Sequence, residues 1–485
     1  MKRTFALIWA LVFVLQVSAQ DKVIRSFTLQ EAVDYALQNN NTMKNAMLSE
    51  KQAKWRNLEI YTTGLPQISA GIDYQYYFKT PEVPALNKFF SDTTSSSARV
   101  FSYLAANDPN IANILYQSAI SSKDQKISFV LPHSLAGSLQ VSQLIFDARY
   151  FFGIRAAKDL MSTSMLSTKL SEQDVRYNVI KAYNQAQGAK EANALLQRTL
   201  NLVQQLVKDT RQVYAQGLVE EMDVNRLELI EANLQSQITT QNQMAEVALA
   251  NLKFQMGLRL DDEILLTDNL EKLRGGLSLS ADSKMDPSQR VEYQLLNTAI
   301  RLKGYDAAQK RSGYYPSMFA FLNYGWTGQS DKFDGLFKKT TTVYPDGDIR
   351  KTSAWFSQGL VGLSLKLPIF DSGQKMAQVK QAKLEQQKTM NDLENFKNAA
   401  DLQFRLAQSN FNAALADEVN TQKASDLSEK IFKKNQVKFQ EGAGSSFELV
   451  QSEQDFTTNQ LKHIQSVLTL LNAKAELDKA LGTNK

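Results

Sequence analysis

The chain has 485 residues, 43% of them hydrophobic, with a mean hydropathy of −0.34 and a formal charge of +5. The length suits two or three ordinary domains or one elongated one. The hydropathy excludes a bundle of buried membrane helices, and the charge is too mild to point to nucleic acid.

Cysteine is absent, so disulfides, thiolate metal sites, a cysteine nucleophile and a lipidated N-terminal cysteine are excluded. The two histidines, His133 and His463, stand far apart and outside any metal-ligand spacing, and each reads as an ordinary polar residue. At the N-terminus Lys2 and Arg3 precede an apolar run from Phe5 to Leu15, and Val17-Ser18-Ala19 supplies a small-residue cleavage site. The run is shorter than a spanning helix needs. Residues 1–19 therefore read as a secretory signal peptide with Gln20 as the first mature residue, an uncleaved anchor being the alternative. Removing the leader takes away two positive charges. No later stretch is apolar enough for a transmembrane helix, so a return to a membrane has to use strands.

A helix is predicted over Leu29 to Tyr61, and then the period changes. In LPQISAGIDYQYYF, residues 65–78, Ile68, Ala70, Ile72, Tyr74, Tyr76 and Phe78 alternate with Gln67, Ser69, Gly71, Asp73 and Gln75. This is a period-2 strand with one apolar, aromatic-ended face. Residues 80–132 read as a long Ser/Thr/Pro-rich loop, with a short helix expected in its apolar interior at 111–120. A second strand follows at 135–144, where Leu139 and Val141 are set against Ser138 and Gln140. Arg149 to Tyr214 contains no proline, which predicts a helix of roughly 66 residues and about 100 Å. Its 3-4 ladder, through Ala157, Ser164, Ser171, Asn178, Ala182 and Ala189, is mostly small or polar. Small residues suit a helix with neighbours on both sides, as in the wall of a tube; a solid antiparallel coiled coil has the same period. Gly217 follows, and a helix about half as long is predicted over Met222 to Met256.

Residues 258–286 read as a non-helical linker, after which the pattern returns. Pro66 and Tyr74 pair with Pro316 and Tyr324 at an offset of 250. Leu144-Ile145-Phe146-Asp147 pairs with Pro368-Ile369-Phe370-Asp371 at 224, and Gly217 and Gly257 pair with Gly442 and Gly482 at 225. Near-constant offsets mark a duplication with slippage in the loops. The first repeat then covers 20–257 and the second 287–485. The second holds a helix over 287–313, strands at 316–327 and 360–367 around a polar loop, a long helix at 373–439, a turn near Gly442 and a helix at 447–481. Tyr324 and Trp326, and Leu363 and Leu365, continue the apolar alternation. Four strands leave open edges, which one chain does not close by itself.

Three pairs of segments now carry a pattern. LPQISAGIDY and YPSMFAFLNYGW enter the first strand of each repeat; QLIFDARY and LPIFDSGQK leave the second strand; YAQGLVEEMDVNRLELIEA and FQEGAGSSFELVQSEQDF hold the glycine turns. In this order and spacing the chain resembles the TolC family of bacterial outer-membrane efflux channels, over about residues 27–482. The resemblance implies a mainly α fold with a small membrane β part. It implies a homotrimer whose chains each give four strands to a shared twelve-stranded barrel, continued by a periplasmic α-helical coiled-coil barrel. Ile72, Tyr74, Tyr76, Phe78, Tyr324, Trp326, Leu363 and Leu365 would then face outer-membrane lipid or its interfaces, together with Trp355. Gly217, Leu218 and Val219, and Gly442, Ala443 and Gly444, would form the periplasmic tip. That tip would meet a membrane-fusion adaptor, itself joined to an inner-membrane pump of the RND or ABC type. Asp223 and Glu448, six residues past the glycines, take the family's acidic aperture position. Arg226 and Gln451 stand where a second acidic residue sometimes follows. The same two carboxylates also suit the first turn of a helix, where they meet the positive end of its dipole. For the strands, a soluble β-ribbon packed on helices is the alternative.

The sequence shows no Gly-rich phosphate loop, no Ser-His-Asp arrangement and no metal cluster, so neither an enzyme nor a cofactor is expected. The reading that results is a passive outer-membrane exit duct of a tripartite efflux system, with selectivity residing in the pump. The alternatives are the outer-membrane channel of a type I protein secretion system and a surface coiled-coil structural protein.

Overall fold

The computed structural model describes residues 25–80, 82–84, 103, 106–108, 126–128, 130–277, 285–343, 349–353 and 355–482. The signal peptide expected at 1–19 and the helix expected at 111–120 lie outside these residues. In chain order the elements are β1 (Arg25–Phe27), α1 (Leu29–Asn39), α2 (Asn41–Thr62), β2 (Gln67–Tyr76), β3 (Glu82–Pro84), β4 (Lys126–Ser128), β5 (His133–Asp147), α3 (Ala148–Ala215) and α4 (Glu221–Met256). Then come β6 (Ile264–Leu266), α5 (Leu270–Gly275), α6 (Val291–Ser312), β7 (Ser317–Ser330), β8 (Lys339–Val343), β9 (Ile349–Ser353), β10 (Trp355–Lys366), α7 (Gln374–Gln440) and α8 (Ser446–Leu481). They fall into two compact units: a helical one of residues up to 58, 152–310 and from 376, and a β one of residues 59–151 and 311–375.

In the helical unit the two repeats use helices of matching length. α3 and α7 have 68 and 67 residues, α4 and α8 have 36 each, and α2 and α6 have 22 each. The helix expected over Leu29 to Tyr61 is in fact broken at Asn40, because that side chain competes for backbone partners. Its Oδ1 accepts from the Thr42 N–H at 2.7 Å and its Nδ2 donates to the Gln255 carbonyl at 2.6 Å. One residue thus ends α1, starts α2 and holds the end of α4. Gly257 closes α4 at φ +77°, and a Cβ there would lie 2.7 Å from the Asn39 carbonyl oxygen. Only glycine allows both the left-handed cap and that approach. In the second repeat Gly482 ends α8 beside Arg290, the residue before α6.

The linker is not free of regular structure, as the sequence suggested. β6 pairs in parallel with β1, and α5 packs Leu270 and Leu273 against Val467 and Leu471 of α8. A three-residue strand and a six-residue helix are too short to show a period. What holds them is a polar hub on α3. The buried Tyr183 hydroxyl donates to the Phe27 carbonyl at 3.0 Å and to Asp268 Oδ2 at 3.3 Å. Asp268 also accepts from the Leu29 N–H and from Lys272 Nζ, at 2.8 and 2.7 Å. Two turns further along α3, Lys190 donates to the Leu266 carbonyl and Glu191 accepts from the Leu270 N–H. Around this hub Val33, Ala36, Val179, Leu252 and Met256 form a buried apolar core. Between the repeats, α3 meets α8 at Gly188, where a Cβ would come 2.3 Å from a Leu468 methyl.

The β unit holds a four-stranded antiparallel sheet in the order β10-β7-β5-β2. Adjacent strands run in register, so Ile72, Gly137, Trp326 and Ser357 form one cross-strand row, and Tyr74, Leu135, Gly328 and Trp355 the next. β5, β7 and β10 extend further than their apolar runs. The added residues, His133–Ser134 in β5, Gly328–Ser330 in β7 and Trp355–Gly359 in β10, mix polar, glycine and aromatic types and still make the backbone ladder. β2 is shorter than expected, so Phe78 lies two residues past its end. The segments read as loops also contain ribbons, β3 with β4 and β8 with β9.

Burial pushes the Asp268 carboxyl up, but Lys272, the Leu29 N–H and Tyr183 outweigh it and hold the group below the usual carboxylate range. A depressed folded-state value stabilises the fold above the unfolded carboxyl's titration and loses that contribution as pH falls through the folded value. Asp268→Asn should therefore destabilise the protein by about 2 kcal/mol at neutral pH, the scale of a charge-assisted hydrogen-bond set. The gap from wild type, measured by thermal loss of helical circular dichroism, should narrow steadily below about pH 4.

Candidate functional site

Two features stand apart from ordinary packing: the paired turns at the far ends of α3 and α7, and the apolar face of the sheet. The turns are built alike. Gln216–Glu220 and Glu441–Ser445 each span five residues, and Gly217 and Gly442 adopt φ of +73° and +72°. In the first, the Gly217 N–H donates to the Tyr214 carbonyl at 2.8 Å and the Leu218 N–H to the Val213 carbonyl at 3.2 Å. In the second, Gly442 donates to Phe439 at 3.1 Å and Ala443 to Lys438 at 2.8 Å. This nested pair of bonds is the Schellman cap, which calls for a left-handed residue at the glycine. A Cβ at Gly217 or Gly442 would meet nothing within 4 Å, so the demand is on backbone conformation and not on space. Gly444 is different, with Lys438 Cβ and the Phe439 nitrogen both 3.1 Å from a built Cβ.

Asp223 and Glu448 are the third residues of α4 and α8, and the sequence set them as a pair. The structure separates them. Asp223 Oδ2 accepts from the Glu220 N–H at 3.2 Å, and Oδ1 accepts from the Ser446 hydroxyl of the other turn. The same Ser446 oxygen accepts from Arg226 Nη1 at 3.1 Å, and Arg226 lies 4.0 Å from Asp223. Asp223 is thereby committed to a bridge that ties the two turns of one chain through the buried Ser446. The Glu448 carboxylate is exposed; the Ser445 side chain, not Glu448, supplies the helix cap, accepting the Glu448 N–H at 3.2 Å. Behind the first turn Arg211 of α3 binds Glu228 of α4 at 2.6 Å.

The sequence reading gave no such role to four participants. Ser446 and Arg226 carry no pattern of their own; only their contact reveals them. Met222 and Phe447, the second residues of α4 and α8, are both exposed beside Leu218 and the turns. Their shared position in the two repeats was the available signal. Ala443 is exposed, while Val219 and Gly444 are half-buried. Further along, α4 and α8 flank a groove of about 720 Å³ lined by Leu234, Gln237, Glu453, Thr457 and Lys462. Burial pushes the Glu453 carboxyl up, against a 2.7 Å hydrogen bond from Thr457. Burial likewise lowers His463, whose Nδ1 has no hydrogen-bond partner, so it is not the ordinary polar residue the sequence suggested. No group of three acidic or histidine side chains that could hold a metal occurs among the described residues.

In the sheet, the register places Ile68, Ala70, Ile72, Tyr74 and Tyr76 on the same face as Leu139, Val141, Leu322, Tyr324, Trp326, Val361 and Leu363. A register shift between Leu144 and Phe146 resets the alternation, so Phe146 joins Met318 and Leu365 on that face too. Ile72, Val361 and Leu363 are 82, 77 and 71% exposed. The opposite face carries Ser69, Asp73, Gln75, Ser138, Gln140, Asn323, Gln358 and Lys366. It is not purely polar, since Phe319, Phe321 and Leu360 lie on it. His133 also departs from the sequence reading: its Nδ1 lies 2.7 Å from the Tyr74 hydroxyl, with the Tyr76 ring 4.9 Å away. No helix among the described residues is long and apolar enough to cross a membrane.

Comparison with known proteins places this geometry. Residues 294–483 match the family described as outer membrane efflux protein. Over 352 residues the chain is 22% identical to the outer membrane protein TolC of Escherichia coli (strain K12), covering 72% of this chain and 66% of that relative. The chain thus spans just under two thirds of the length of the curated relative it matches. The CmeC outer membrane channel of Campylobacter jejuni superposes with a TM-score of 0.67 at 16% identity, over 94% of this chain and 87% of that one. The outer membrane protein VceC of Vibrio cholerae superposes at 0.63 and 14%, over 94% and 96%. At these identities the structural likeness shows a shared fold. The second repeat thus matches the outer membrane efflux protein family, and the chain as a whole is similar to channels of that kind.

Proposed function

We propose that the chain is one of three subunits of an outer-membrane exit duct, which receives substrates from a periplasmic adaptor and inner-membrane pump and conducts them passively outward. The protein resides in the outer membrane with a large periplasmic extension. The observation that supports the duct is the sheet. It carries a continuous exposed apolar face, and among the described residues β2 and β10 each pair on one side only. Unpaired backbone groups are not tolerated in the hydrocarbon, so both edges must join other copies of the chain. Three copies make a closed twelve-stranded barrel, wide enough for an aqueous bore where eight strands would fill with side chains. The apolar face then meets lipid and the face bearing Asp73, Gln140 and Asn323 lines water. The helical unit supplies the periplasmic tube, and Gly217-Leu218-Val219 with Gly442-Ala443-Gly444 its tip. Leu218, Met222 and Phe447 offer the adaptor an apolar surface there. Duty in a type I secretion system would use the same parts.

Ile72→Arg or Leu363→Arg would point a charge at lipid, costing about 2–4 kcal/mol near mid-bilayer. Both variants should fail to assemble in outer-membrane fractions, whereas Asp73→Asn should assemble normally. The reverse pattern would invert the two faces. In detergent, analytical ultracentrifugation should find a species near three times the mature chain mass; a stable monomer would sink the shared barrel.

At the tip, the exposed Glu448 is the carboxylate available to an axial aperture, and Asp223 is held in the bridge to Ser446. Glu448→Gln should weaken cation block of single channels in planar bilayers at unchanged protein stability. Asp223→Asn should act through the bridge, and Ser446→Ala should reproduce its effect on conductance. Equal loss of cation block in both carboxylate variants, with Ser446→Ala silent, would restore a paired acidic ring.

A further inference from the structure

We propose that residues 331–339 form a membrane-anchoring hook, which buries Phe333 and Phe337 among the acyl chains beside the sheet. The proposal rests on the reading above that the apolar face meets lipid. After β7 the chain does not continue into β8. It turns through a 3-10 segment, Phe333–Leu336, that folds back over the apolar face at the end of the sheet remote from Asp147.

The inner side of this segment is fastened closely. Trp355 Nε1 donates to the Leu336 carbonyl at 2.7 Å, and Leu336 is 1% exposed. A Cβ on Gly335 would fall 2.1 Å from the Ser330 Oγ, so the turn lies close against β7. The Phe333 ring meets Tyr74 edge-on at 5.5 Å and His133 at 6.2 Å. Tyr74, His133, Ser330 and Trp355 all belong to the apolar face. The outer side is left greasy: Phe333 and Phe337 are 54 and 67% exposed, with their rings 5.7 Å apart.

Water is a poor solvent for that arrangement, since each phenyl ring could bury apolar area worth about 1.5–3 kcal/mol. A second copy of the chain is not the occupant. The backbone of the segment lies mainly over β5 and β7, the two central strands, and reaches β2 and β10 only at the Tyr74 and Trp355 side chains, whereas a neighbouring sheet would pair with the backbone edge of β2 or β10. Lipid fits, because the patch is continuous with the apolar face and is flanked by exposed Lys332, Lys338 and Lys339. Asp334 already pairs with Lys338 at 2.5 Å. Long cationic side chains around aromatic rings suit the level of the headgroup phosphates, the ammonium groups reaching outward while the stems stay apolar.

The chain has no cysteine, so a single introduced one can be labelled without background. Nitroxides would be placed by Phe333→Cys, Phe337→Cys, Ile72→Cys and Asp73→Cys in the full chain, reconstituted in phospholipid vesicles. Labels at 333, 337 and 72 should collide freely with oxygen and be protected from a water-soluble nickel chelate; the label at 73 should show the opposite. Nickel access at 333 and 337 as high as at 73, with 72 protected, would overturn the hook and leave the facing of the sheet intact. Nickel access at 72 as well would overturn the facing itself. Phe337→Trp keeps a ring in the segment: brominated acyl chains should quench its added fluorescence, and an unquenched signal would count against the hook independently of the labels.

Discussion

A strand places half of its hydrogen-bonding capacity on each side, and a sheet four strands wide therefore ends in two rows of unsatisfied groups. Among the described residues of this chain neither β2 nor β10 pairs with a second strand. A soluble protein would cover the apolar face or shorten the edges. Here both strand hairpins are long, flush and supplied once per repeat. In the proposed duct the duplication follows from the same constraint: one hairpin per repeat, two repeats per chain, and the remaining edges left for identical neighbours. Identical neighbours are the economical closure, since each edge then meets a complementary one built from the same sequence.

The helical unit meets a comparable difficulty by different means. Helices of 68 and 67 residues cannot be matched by single partners of half their length. The chain sets two shorter helices end to end, α4 with α2 and α8 with α6, and the joins need special residues. Asn40 and Gly257 make the first join by side-chain hydrogen bonds and a left-handed cap. The second uses Gly482 and Arg290. Near this level the linker is strapped to α3 by Tyr183, Asp268, Lys190 and Glu191. These are polar contacts in buried or half-buried positions, where an unmade hydrogen bond costs more than a made one gains. They specify where the strap sits more than they add stability.

At the turns, the two repeats diverge in a way their matching positions conceal. Asp223 and Glu448 occupy the same place on their helices, yet one is bonded across to the other repeat and one faces solvent. The asymmetry traces to two differences: α8 begins with Ser446, whose hydroxyl reaches Asp223 and Arg226, while α4 begins with Glu221, and Arg226 stands where α8 has Gln451. Arg226 supplies the positive charge that keeps this bridge neutral overall. Repeats of one ancestral unit can thus keep a shared backbone and assign different duties to equivalent carboxylates.

The sequence by itself determined what depends on local periodicity and local backbone demand. The alternation from Gln67 to Tyr76 could only be a half-exposed strand, since a helix would smear those apolar residues around its axis. The proline-free stretches with 3-4 ladders could only be helices, and Gly217 and Gly442 could be read as turns because few other residues accept φ near +70°. Tertiary structure decided everything that depends on which distant residues meet. β1 and β6 are strands only because they pair with each other, and α5 is a helix held by α8. Gly188, inside a long helix, is the contact with Leu468. Ser446 assigned Asp223 its partner, and the register shift beside Phe146 turned that ring onto the apolar face. Residues 331–339 showed only a polar, glycine-containing loop, because the pattern that makes them a hook lies in Tyr74, His133 and Trp355, far away in the chain. Short-range order is written in spacing along the sequence; these features are set by spacing in three dimensions, which no window along the chain contains.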